Sequence, residues 1–108
     1  MSESQVLVVL STFPDVASAR EVAGRLLDER LATCVNLVPG VESHFDWQGE
    51  RQQSAEVVVL IKTTQAAYPQ LEERLSRLHP YEVPEILGFP AERGLEAYLG
   101  WVRGGCDA

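Results

Sequence analysis

An α+β fold made of two split β-α-β units is what this 108-residue sequence predicts. Apolar residues recur at helical spacing in two stretches, Val16 to Leu31 and Tyr68 to Leu78. β-branched runs and period-two alternation fill the segments before, between and after them. The central segment is long enough for two strands, joined at Gln48-Gly49.

Taken in order, Val6-Leu7-Val8-Val9-Leu10 reads as a short central strand that Ser11-Thr12-Phe13-Pro14 ends. Asp15 is placed to cap the first helix, its carboxylate accepting from backbone N–H groups a turn later. From Cys34 to Trp47, alternation puts Val35, Leu37, Val41, Phe45 and Trp47 on one face and Asn36, Glu42, His44 and Asp46 on the other. Such a strand far exceeds the usual length of about five or six residues. Pro39-Gly40 inside it predicts a bend on an edge strand, because proline donates nothing to a ladder and glycine tolerates a bulge. Gly49 suits a tight hairpin turn, and the returning strand spans Arg51 to Thr63. Pro69 falls in the first turn of the second helix, where a missing N–H does no harm, and His79-Pro80 stops that helix. Val83 to Phe89, interrupted by Pro84, predicts a fourth strand at an edge, and Leu95 to Val102 a short last helix. The order is ferredoxin-like: one domain over residues 1–108, with 103–108 as a flexible tail.

A formal charge of −7, with nine Lys and Arg that form no run, excludes the clustered cations on which nucleic-acid binding rests. Cys34 and Cys106 are too few for a disulfide framework and lack a C-x-x-C spacing, which points to a reducing compartment. The first apolar run, Val6 to Leu10, is too short for a membrane span and has no basic segment before it. The expectation is a cytoplasmic protein with no membrane partner.

The long hairpin raises a physical difficulty. A strand rises about 3.3 Å per residue and a helix about 1.5 Å, so two ordinary helices cannot cover the whole ribbon. The overhang carries Phe45, Trp47 and open backbone edges, which an isolated subunit would expose. Pairing with sister copies removes the exposure, so Phe45 and Trp47 are expected at a subunit interface.

Ala32-Thr33-Cys34-Val35-Asn36-Leu37-Val38-Pro39-Gly40 closely resembles the A-x-C-V-N-hydrophobic-x-P-G stretch of the CutA divalent-cation tolerance family. Ser43-x-Phe45-x-Trp47-x-Gly49 is similar to that family's S-x-Y-x-W-x-G continuation, with Phe in the tyrosine place. Ile61-Lys62-Thr63, then His79-Pro80-Tyr81-Glu82-Val83-Pro84-Glu85-Ile86, then Tyr98-Leu99-x-Trp101 resemble its remaining signatures in order. The resemblance implies a ferredoxin-like subunit in a compact homotrimer, similar in plan to PII-type signalling proteins, that acts in tolerance of copper and other divalent cations. It also implies a copper site in some members, built from a first-strand cysteine and two adjacent histidines. Those positions hold Ser11, Leu78 and His79 here. Serine is a poor substitute for thiolate with a soft metal and leucine is no ligand, so His79 stands alone as candidate metal ligand. No cofactor is required; copper or another divalent cation is the candidate one.

Each candidate residue has a plain alternative. His79 is either that ligand or a cap for the preceding helix through its ring N–H. Cys34 reads as a small buried hydrophobe. His44 between Glu42 and Asp46 is either a loose cation site or a solvated polar face. Lys62 ends an apolar strand, so its ammonium either snorkels or is held by a carboxylate. Together with Tyr81, Glu82, Glu85, Tyr98 and Trp101 it lines a cleft between subunits for a small anionic or aromatic ligand, or else serves as a structural ion pair within interface packing. No G-x-S-x-G, H-E-x-x-H or phosphate-cradling glycine loop is present, and no catalysis is expected. Two functions follow: a trimeric metal-response protein with weak cation binding that uses no high-affinity thiolate–imidazole copper site, or a PII-like small-molecule sensor whose metal phenotype is indirect.

Overall fold

A computed structural model describes residues 4–106. Its elements run β1 (Val6–Phe13), α1 (Val16–Asp28), β2 (Cys34–Trp47), β3 (Glu50–Thr64), α2 (Tyr68–Leu78), β4 (Leu87–Pro90) and α3 (Glu96–Gly104). The four strands form one sheet in the order β2-β3-β1-β4, and every neighbouring pair is antiparallel.

Local chemistry fixes the ends of these elements. Asp15 accepts the Ser18 N–H at 2.7 Å and caps α1, as its position predicts. α1 stops at Asp28, short of Leu31, because Arg30 turns into the left-handed region at φ 56°. Gln48 and Gly49 both take positive φ, 51° and 82°, the pattern of a two-residue type I′ hairpin. The His79 backbone N–H still bonds the Leu75 carbonyl at 2.9 Å, and Pro80 prevents another turn of α2.

The core lies between α1, α2 and one face of the sheet. Val9 and Phe13 of β1, Val57, Val59 and Ile61 of β3, Ala19, Val22 and Leu26 of α1, and Leu71 and Leu75 of α2 are all buried together. Alternation sends Val8, Leu10 and Thr12 of β1 and Val58, Leu60 and Lys62 of β3 to the opposite face. Ser11 and Thr63 are polar yet fully buried, and Thr63 donates to the Leu31 carbonyl at 2.7 Å. The Ser11 hydroxyl is fully buried on the helical side and has no hydrogen-bond partner among the described residues. Such an orphan costs about 1–3 kcal/mol.

Four expectations need correction. β1 continues through Ser11 and Thr12 to Phe13, since all eight residues pair with β3. β4 is confined to Leu87–Pro90, because Pro84 keeps the preceding residues out of the ladder. The tail is docked as far as Cys106. Arg103 Nε donates to the Ser4 carbonyl at 2.8 Å, the Cys106 sulfur lies 3.3 Å from Thr33 Oγ1, and a Cβ on Gly105 would fall 2.6 Å from Thr33 Cγ2. Residues 107–108 of the expected tail lie outside the described ones.

The fourth correction matters most for function. Between Val38, opposite Val58, and Val41, opposite Glu56, β2 advances three residues while β3 advances two. The extra residue is accommodated at Pro39-Gly40, with Gly40 at φ 80°. A one-residue slip reverses the face of everything beyond it. Val35 and Leu37 therefore pack toward the helices, whereas Val41, Phe45 and Trp47 share the helix-free face with Glu56, Val58 and Leu60. β3 has 15 residues and α1 has 13. The molecule accordingly extends 49 Å in one direction and only 26 and 22 Å in the others.

Candidate functional site

Beyond the bend at Gly40 the outer hairpin and the segment after α2 border the same space. Between them is an open cleft of about 800 Å³. Thr12, Ser43, Phe45, Trp47, Ser54 and Glu56 form its sheet side, and Pro80 to Val83 with Glu85 form the other wall. Tyr81 closes one end by donating its hydroxyl to Glu56 Oε2 at 2.5 Å. Burial, followed by the bond to the Glu56 carboxylate, raises the Tyr81 phenol well above its ordinary value, so the hydroxyl stays a donor.

His79 holds that wall in place. Its Nδ1 accepts the Tyr81 backbone N–H at 3.1 Å, which puts the ring proton on Nε2, where it donates to the Thr12 carbonyl at 2.8 Å. The ring also lies 4.1 Å from Phe13 and 4.9 Å from Tyr81, centroid to centroid. His79 thus ties α2's exit to the end of β1, and its ring does not cap α2. Both nitrogens are engaged, Ser11 sits in the core and Leu78 offers no donor, so the three positions make no donor set for a soft ion. Among the described residues no group of three or more His, Cys, Asp or Glu side chains could hold a metal.

Burial holds the His79 imidazole below its ordinary value, against the opposing pull of the Thr12 carbonyl and the Glu56 charge. The unfolded chain therefore takes up this proton first as pH falls. The His79 contribution is complete above pH 6.5, the ordinary imidazole value, and is lost as pH drops below it. We expect a lower urea midpoint at pH 5 than at pH 7.5, and a smaller difference between the two in His79→Gln. A midpoint insensitive to pH, or equal pH dependence in the variant, would contradict this neutral bridging role.

Of the residues singled out for a cleft, the structure brings together Tyr81, Glu82 and Glu85, and adds Phe45 and Trp47. Lys62 is elsewhere. It pairs across to Cys34 and bonds the Asn36 side-chain oxygen, with the Cys34 sulfur 4.0 Å from its nitrogen. Among the described residues no carboxylate holds it, the second of the two expected alternatives, and it stands six residues from Glu56, roughly 20 Å along β3. Cys34 is half-exposed on that same face and is not a core residue. Tyr98 and Trp101 lie on α3 with ring centroids 5.6 Å apart, outside the cleft. His44 bonds Glu42 at 2.6 Å and Asp46 pairs with Arg51, which leaves a solvated polar face on the hairpin. Glu56 was missed by sequence reasoning. Its alternation with Val58 marks its face, but nothing local announces the bond to Tyr81.

A family model described as CutA1 divalent ion tolerance protein matches residues 7–104. The chain is 50% identical to the divalent-cation tolerance protein CutA of Thermus thermophilus over 96 residues, 89% of this chain and 93% of that one. It is 41% identical to the Escherichia coli protein of the same name over 102 residues, 94% of this chain and 91% of that one. Among solved structures, CutA1 from Oryza sativa superposes with a TM-score of 0.93 at 35% identity, covering 97% of this chain and 96% of that one. The fold, the motifs and these likenesses agree, and the chain belongs to the CutA1 divalent ion tolerance family.

Proposed function

We propose that the chain works as a homotrimeric metal-response protein in a reducing compartment such as the cytoplasm, meeting divalent cations weakly through carboxylates. The observation that carries the trimer is the uncovered sheet face. Val38, Leu87 and Phe89 are 45%, 48% and 51% exposed there, beside Leu10, Val58 and Leu60, at both free edges of the sheet. A patch of this kind on a soluble chain marks an interface. Phe45 and Trp47, at 42% and 51% exposure, prolong it along the overhanging hairpin. The weak, carboxylate-based mode is supported by the engagement of both His79 nitrogens and by the net charge of −7. The two unpaired cysteines support the reducing compartment.

Light scattering should return three times the 12.0 kDa subunit mass. Calorimetry with copper(I), copper(II) and zinc should give weak binding that is unchanged in His79→Gln. A stable 12.0 kDa particle would overturn the assembly. Submicromolar binding lost in the variant would overturn the cation mode.

The cleft favours a second reading, a PII-like small-molecule sensor with an indirect metal phenotype. Its volume of about 800 Å³ suits an organic molecule far better than a bare ion. In a trimer its hairpin wall would stand at a subunit boundary.

A further inference from the structure

We propose that His79 and segment 80–85 form a proton-operated latch: a proton on the imidazole breaks the bond that the Tyr81 N–H donates to it and releases the segment, while the core stays folded. The latch works alike whether the hairpin stands free or lies against a neighbouring copy.

The two ring nitrogens face opposite demands. The Tyr81 N–H can only donate, so Nδ1, 3.1 Å away, must present a lone pair. The Thr12 carbonyl can only accept, so Nε2, 2.8 Å away, must carry the proton. The neutral Nε2–H tautomer alone satisfies both. When a solvent proton takes the Nδ1 lone pair, two donors confront each other and the Tyr81 bond turns repulsive. The bond to Thr12 survives, because Nε2 still donates. The ring therefore stays pinned to β1 and lets go only of the segment after α2.

Little else holds that segment. Residues 80–85 lie outside every helix and strand, and Pro80 and Pro84 have no N–H to give. Among the described residues, its hydrogen bonds to the rest of the fold are both made by Tyr81, one to His79 and one to Glu56. The core of Val9, Ile61, Leu71 and Leu75 closes without it. At 6% exposure the imidazole is enclosed by its own chain, so this chain's groups decide its protonation. Glu56 on β3 draws a proton toward the ring, Thr12 and Phe13 of β1 bring no charge, and burial outweighs Glu56. Tyr81 keeps its phenol protonated, and Asp15 at the start of α1 reinforces this. Once released, the ring regains its ordinary affinity. Opening should thus grow about tenfold per pH unit below 6.5, until the latched ring is itself protonated.

Amide exchange followed by NMR on the intact protein tests this, each rate divided by the intrinsic rate at the same pH. From pH 7.5 to 5.5 the protection of the Tyr81 amide should fall about tenfold. It should also stay well below that of Ile61 in the middle of the sheet, the mark of a local opening. His79→Gln offers an acceptor and a donor but does not titrate, so its Tyr81 protection should not change with pH. Tyr81→Phe loses only the bond to Glu56 and should be less protected at both pH values, with the tenfold fall retained. Protection at Tyr81 that ignores pH, or that equals the Ile61 value, would overturn the latch. So would the same fall in His79→Gln, or a fall abolished in Tyr81→Phe.

Discussion

Phe13→Ala should destabilise the fold by about 3–5 kcal/mol, the usual cost of emptying an aromatic site in a core. Phe13 is 1% exposed and among the largest fully buried side chains, at the end of β1 where the two long helices meet the sheet. Its loss also strips His79 of the ring 4.1 Å away. The imidazole bridge to the Thr12 carbonyl and Tyr81 N–H would then lose its packing on one side and admit water. Two readouts should move together: the urea midpoint, and the order of the Pro80–Glu85 wall, seen as faster amide exchange at Tyr81. Phe13→Leu, which keeps most of the volume, should recover more than half of the loss in stability. A cost below about 1 kcal/mol would mean that the core collapses around the gap, and that Phe13 does not anchor the cleft wall.

How much of this was legible in the sequence depends on whether the deciding interaction is local. Asp15 as a cap, Gln48-Gly49 as a turn and Pro80 as a stop each act within a few residues, and the structure places all three as the sequence predicts. The bend at Pro39-Gly40 was legible too, but its consequence was not. The two residues announce an irregularity without stating whether β2 gains one residue or two against β3, and only an odd gain moves Phe45 and Trp47 to the other face. The candidate site suffered for the same reason. Lys62 and Glu56 lie on one strand and one face, yet one ends beside Asn36 and the other beneath Tyr81, according to what crosses the sheet at each point. Tyr98 and Trp101 looked like residues of a cleft between subunits from chemistry alone, and the path of α3 places them outside the cleft within one subunit. Motif order identified the family without any of this geometry, because motifs record residue types and not the pairing register.

The largest effect expected on assembly comes from a charge at the centre of the uncovered face. Leu10 lies opposite Leu60 on β3 and opposite Leu87 on β4, and it is half-exposed in the single chain. A carboxylate there can still reach water when the subunit stands alone, so Leu10→Glu should fold, with a modest loss of about 1–2 kcal/mol. In the proposed trimer the same group is shut away from water among apolar neighbours, and an unpaired buried ion costs several kcal/mol in each subunit. Lys62, a cation on this face, is two residues further along β3 than Leu60 and is already bound to Asn36. Light scattering of Leu10→Glu should therefore report the 12.0 kDa subunit, with a native-like far-ultraviolet spectrum. Leu10→Met, which preserves volume and apolar character, should keep the multiple. A glutamate variant that retains the full assembled mass would place the contact surface elsewhere. The exposed apolar stripe from Val38 to Phe89 would then need a different cover, because β2 and β4 leave both edges of the sheet unpaired.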